Sequence, residues 1–203
     1  MNRLQLCKKE FVEHKFQILI SFLFLVIAVI LDYFSGNYVS RAGEAVASDI
    51  ILDRIPVFDL SYIFLYGYAF VIGVLLLYPL FFYTKKFHIV ISQFSLLILI
   101  RSFFITLTHL KTPENAVVIH ANYIYNLLLF NNDLFFSGHT AVPFLGFLLF
   151  RKTKLGIFFL VSTIILALTV LFMHLHYSID VFAAFFIAYG SYRLCNRFFN
   201  NIK

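Results

Sequence analysis

A chain of 203 residues that is 62% hydrophobic and only 13% charged, with its apolar residues gathered in runs, has the composition of a polytopic membrane protein. The net charge of +6 is then a topology signal and not a nucleic-acid footprint, so no nucleic-acid partner is expected. One membrane domain over 1–203 accounts for the whole chain.

Crossing a hydrocarbon core of about 30 Å takes roughly 20 helical residues. Six stretches qualify: 16–34, 61–83, 87–108, 134–150, 155–173 and 177–192. Runs this continuous are not the alternating segments of a barrel, so the predicted fold is all-α, a six-transmembrane-helix bundle. The first run is read as a span and not as a signal peptide, because the small residues Ala45 to Ser48 lie well beyond its end. The segment after it carries "DRIPVFD", where Pro56 predicts a break in any helix. After the third run, "KTPEN" predicts a turn, and "AVVIHANYIYNLLLF" predicts a short interfacial helix. The tight "RKTK" connection makes the fourth and fifth helices antiparallel neighbours.

Basic residues orient the bundle. With both termini cytoplasmic, Arg3, Lys8, Lys9, Lys15, Lys85, Lys86, Arg151, Lys152, Lys154, Arg193, Arg197 and Lys203 fall inside, and the outer loops keep Arg41, Arg54 and Lys111. Cys7 and Cys195 both fall on the reducing side, so no disulfide is expected.

Under this topology two polar clusters share one depth at the outer side. Ser137, Gly138, His139 and Thr140 occupy the first turn of the fourth helix, while "HLHYSID", His174 to Asp180, forms the hairpin between the fifth and sixth. His176 and Asp180 are four apart, hence on one helical face with about 6 Å between their Cβ atoms. A carboxylate so placed fixes one imidazole nitrogen and leaves the other free to attack. His139, at the same depth, supplies a separate general acid. A helix N-terminus offers unpaired N–H groups and positive potential, and Gly138 lets an anion approach, so Ser137 and Gly138 form a candidate phosphate seat; Ser137 is equally an N-cap candidate. Arg101 lies within the third span, and a buried guanidinium needs a partner: a phosphate, Asp133 or Asp180. His174 and Tyr177 complete the substrate-side candidates. With no thiol on that side, neither a metal nor another cofactor is expected.

"DLFFSGHT" and "HLHYSIDV" resemble the paired signatures of the type-2 phosphatidic acid phosphatase superfamily, and more narrowly its sphingomyelin synthase branch. "DRIPVFDL" and "RSFFITLT" resemble that branch more weakly. The resemblance implies that His176 is a nucleophile forming a phosphohistidine, that Asp180 supports it and that His139 protonates the leaving oxygen. The K-x6-R-P element and S-R pair of the phosphatase members are absent, with Val170 at the place of the S-R arginine. Sphingomyelin synthases also lack them, so the resemblance favours transfer over hydrolysis.

The expected function is that of an integral-membrane lipid phosphotransferase with its site on the outer side, moving a phospholipid head-group phosphate to a lipid hydroxyl. The alternatives are a phosphatase or phospholipase C-type hydrolase using water as acceptor, and a non-catalytic lipid-binding or transport protein.

Overall fold

The computed structural model describes residues 10–119 and 130–200. Six long helices form among them: α1 Lys15–Ala42, α2 Ile63–Phe82, α3 Thr84–Leu107, α4 Gly138–Phe150, α5 Lys154–Phe172 and α6 Ser178–Asn200. The all-α expectation holds, for the only strand-like feature among the described residues is an isolated bridge between Ala45 and Leu110.

Four helices, α1, α2, α3 and α5, are long and apolar enough to cross a membrane. The fourth apolar stretch is shorter as a helix than predicted. Residues 134–137 are not helical, leaving α4 with 13 residues, about 20 Å at 1.5 Å per residue. The first runs past 34 to Ala42. There Asn37 Nδ2 donates to Tyr33 O at 2.8 Å and Ser40 Oγ to Gly36 O at 2.8 Å, so these polar side chains bond back onto the helix they extend.

α1 lies along α3, α4 along α5, and α6 packs against both α4 and α3. Small side chains let α1 and α3 approach: the hydroxyls of Ser21 and Ser92 are 2.8 Å apart, and Ser21 Oγ lies 3.0 Å from the carbonyl of His88. The central core is apolar, with Leu75, Leu97, Phe136, Leu145, Phe159 and Leu166 almost wholly buried. The opposite faces are apolar as well. Leu19, Leu23 and Ile30 of α1 and Ile157 and Ile164 of α5 are exposed, the distribution a lipid-facing surface requires.

Connections differ at the two ends of the bundle. Tyr83 alone separates α2 from α3, and 151–153 turn α4 into its neighbour α5 as the short basic linker predicts, with Thr153 Oγ1 donating to Phe150 O at 2.8 Å. The longer segments are stitched to one another. Glu44 N donates to His109 O at 3.0 Å, Lys111 N to Ala45 O at 2.8 Å, Phe58 N to Phe172 O at 2.8 Å and Val117 N to Met173 O at 3.0 Å. The break predicted at Pro56 is present, preceded by a single 3₁₀ turn at Leu52–Arg54. The interfacial helix predicted near 116–130 falls mainly on 120–129, outside the described residues. α2 begins with a π-turn at Ile63–Gly67, which sequence periodicity did not signal.

Candidate active site

The pair predicted from spacing is made. His176 Nδ1 lies 3.2 Å from Asp180 Oδ2, and both side chains are buried. Asp180 sits at the third position of α6, where its carboxylate reaches back to accept Tyr177 N–H at 3.0 Å, one half of a capping box. Its other oxygen accepts Phe135 N–H at 3.2 Å, while Ser137 N–H donates to the Asp180 carbonyl at 3.1 Å. Asp180 therefore ties the irregular entry into α4 to the start of α6. With the Nδ1 proton facing the carboxylate, Nε2 carries the free lone pair.

That entry is strained. Phe135 has φ 108°, a region a bulky side chain rarely adopts, and it is held by its N–H bond to Asp180 and by ring stacking on Phe104 at 4.9 Å.

His139 and His176 line one cavity of about 690 Å³, together with Asp133, Phe64, Thr112 and Leu175. The imidazole of His139 is oriented by α2: the ring of Phe64 stacks on it and that of Tyr68 lies tilted against it, each with its centroid 3.9 Å away. Neither aromatic stood out in a run rich in Phe and Tyr.

Arg101 meets two carboxylates. Nη1 donates to Asp32 Oδ1 of α1 at 2.8 Å and Nη2 donates to Asp133 Oδ2; Ser102 Oγ also donates to Asp32, at 3.2 Å. Of the partners left open by the sequence, Asp133 is used and Asp180 is not, because the oxygens of Asp180 are occupied by His176, Tyr177 and Phe135. Asp32 was missed, although an acidic residue inside an apolar run was the available signal. A Cβ placed on Gly138 would lie 3.3 Å from Arg101 Nε and 3.4 Å from the Tyr68 hydroxyl. Glycine thus brings the N-terminus of α4, one guanidinium edge and a phenol together. Ser137 does not cap α4 with its side chain; its Oγ, Thr140 Oγ1 and Asp133 Oδ1 are buried without a hydrogen-bond partner among the described residues. Three orphaned oxygen atoms around one helix start are costly unless a ligand engages them.

The structure sets His174 and Tyr177 apart from this group. Both line a second cavity, on which Pro113 also borders, and the Tyr177 hydroxyl is occupied by Lys111 O at 2.9 Å and Ala47 N at 3.0 Å.

Asp49 is a further residue without a sequence signal. Buried in the segment after α1, it accepts Ser178 N–H at 2.6 Å with one oxygen and Ile51 and Leu52 N–H at 2.9 and 3.1 Å with the other. Burial by itself raises its carboxyl, but the N–H groups of Leu52, Ser178 and Ile51 outweigh that and hold it below the usual carboxylate range. A lowered folded-state value stabilises the protein above the unfolded value and ceases to do so as pH falls through the folded one. Asp49→Asn should therefore cost about 1 to 3 kcal/mol at neutral pH, by the usual worth of charge-assisted bonds. The gap between the two proteins should narrow from neutral pH to a pH well below the ordinary carboxylate value of 3.8. A gap of equal size at both pH values would refute this.

Residues 132–197 match the family model described as PAP2 superfamily C-terminal. No curated protein and no solved structure matches the chain. The matched segment is about a third of the chain and holds Asp133, His139, His176 and Asp180. Together with the apolar helices, it supports the PAP2 superfamily and, at that level, a membrane enzyme of the phosphatase type.

Proposed function

We propose that the chain is an integral-membrane lipid phosphotransferase working through a phosphohistidine on His176, with its site on the outer side. The observation that carries the reading is the shared cavity: an Asp-oriented imidazole and a second, aromatically clamped imidazole line the same space, next to the N-terminus of α4. In the first half-reaction His176 Nε2 forms a bond to the phosphorus of a phospholipid head group. The bond from phosphorus to the lipid oxygen breaks, and His139 gives that oxygen its proton. In the second, His139 takes the proton of an acceptor hydroxyl, whose oxygen bonds to phosphorus as the N–P bond breaks. The Ser137 and Gly138 region and the Nε edge of Arg101 brace the remaining phosphoryl oxygens. Asp133 holds Arg101, and the resemblance to sphingomyelin synthases supports a lipid hydroxyl as acceptor.

Purified protein given a phospholipid donor with and without a lipid alcohol tests this. Head-group phosphate should appear on the alcohol. Release into water alone would favour a hydrolase, and binding without turnover in several lipid mixtures would favour a non-catalytic protein. His139→Ala should slow release of a lipid alkoxide by about 10² or more, the range of general acid catalysis, and release of p-nitrophenolate from an activated analogue far less. Equal losses on both substrates would remove His139 from the acid role.

A further inference from the structure

The end of the bundle away from the candidate active site carries a second pair of imidazoles. His14 stands at the break between a helical turn over 10–13 and the start of α1, and His88 lies in the second turn of α3. From His88 to Arg101 α3 rises about 20 Å. The two rings lie 5.3 Å apart between centroids, at 26° to one another, and the Nδ1 atom of each is buried without a hydrogen-bond partner among the described residues.

Two orphaned ring nitrogens side by side are a cost borne by both helices. Ring contact does not offset it, for the rings are not as close as Phe64 and His139, whose centroids are 3.9 Å apart. A metal ion would engage both nitrogens at once. Imidazoles bound to one ion at about 2.0 to 2.1 Å, with a tetrahedral angle between the bonds, hold their ring centres roughly 5 Å apart. The observed separation is that of such a pair.

The surroundings choose the ion. Glu10 precedes His14 by one helical turn and has its carboxylate 3.7 Å from Lys85 Nζ, while Glu13, Lys15 and Lys86 are exposed. Two neutral nitrogen ligands within a basic rim disfavour Mg²⁺ and Ca²⁺, which seek several carboxylate oxygens, and suit a late first-row ion such as Zn²⁺ or Ni²⁺. Among the described residues no third His, Cys, Asp or Glu joins the pair, so water fills the remaining positions and the ion is exchangeable, unlike one in a closed structural site. Both histidines are partly exposed, which leaves the ion and its waters a path in.

We propose that His14 and His88 form a two-imidazole seat for a divalent transition-metal ion, which clips the start of α1 to the start of α3. The clip is the first of three contacts along this helix pair, ahead of Ser21 with Ser92 and Asp32 with Arg101. It is independent of the phosphotransfer reading, since a catalytically silent protein would bind the ion as well.

Tag-free protein is titrated with Zn²⁺ and Ni²⁺, with Mg²⁺ as the control, and its melting temperature is followed. Zn²⁺ at about a hundredfold excess over its Kd should raise the melting temperature by roughly 5 °C or more. Mg²⁺ should not. His14→Gln and His88→Gln should each weaken Zn²⁺ binding at least about tenfold, and the double variant should lose little more, because the two rings act as one seat. His139 and His176 are a rival pair of imidazoles, so the ion is also mapped: in wild type, saturating Zn²⁺ should shield His14 and His88 together from carbethoxylation by diethyl pyrocarbonate, read by peptide mass spectrometry. The mapping needs no variant and decides the matter even where a substitution prevents folding. Full labelling of either residue under Zn²⁺, an unchanged affinity in either single variant, no stabilisation of wild type by Zn²⁺ or Ni²⁺, or equal stabilisation by Mg²⁺ would overturn the proposal.

Discussion

His176→Ala is expected to abolish turnover together with any acid-labile, base-stable phosphoenzyme trapped from a head-group-labelled donor, since alanine has no atom to attack phosphorus. Asp180→Asn should behave differently. The carboxylate of Asp180 accepts from His176 Nδ1, Tyr177 N and Phe135 N. An amide has one acceptor oxygen and turns an NH₂ group toward one of these donors, so the ring loses both its fixed tautomer and the charge that stabilises it as positive character develops. A loss on the order of 10³ to 10⁴ follows by analogy with carboxylate removal in a histidine triad. The decisive reading is labelling after long incubation: slow but eventual phosphorylation of Asp180→Asn, and none of His176→Ala. Full labelling of His176→Ala would redirect the nucleophile to His139 or His174.

Arg101→Ala should cause the largest loss of stability. Its guanidinium is flanked by Asp32 and Asp133, and all three side chains are mostly buried. Removing the cation leaves two carboxylates facing each other without compensation, which costs about 3 to 5 kcal/mol when a buried pair is broken from one side. Lysine is a poor substitute, because one ammonium cannot present a planar fork to two carboxylates on separate segments, one on α1 and one ahead of α4. The expected signature is strong non-additivity: Asp32→Asn, harmful in wild type, should restore part of the melting temperature lost in Arg101→Ala. Melting temperatures that simply add would show that the three groups do not act as a unit.

The legible parts were those written in local geometry. Long apolar runs specify helices because the backbone must satisfy its own hydrogen bonds in hydrocarbon, and the four-residue spacing of His176 and Asp180 puts them on one face wherever that helix packs. The basic turn at 151–153 likewise made α4 and α5 neighbours. The missing first turn of α4 was not legible, because residues 134–137 give up helical bonds for bonds to Asp180, which is more than forty residues further along the chain.

By itself, then, the sequence determined the helical class, the polar clusters and the His176–Asp180 pair, all of which depend on neighbours within a turn or two. Only the tertiary structure decided that Asp32 meets Arg101, that Asp49 accepts from Ser178, that Phe64 and Tyr68 clamp His139, and that His174 and Tyr177 face a second cavity. Each joins segments far apart in sequence. Which face of one helix meets which face of another depends on the shapes of all the side chains between them, and no single period along the chain records that.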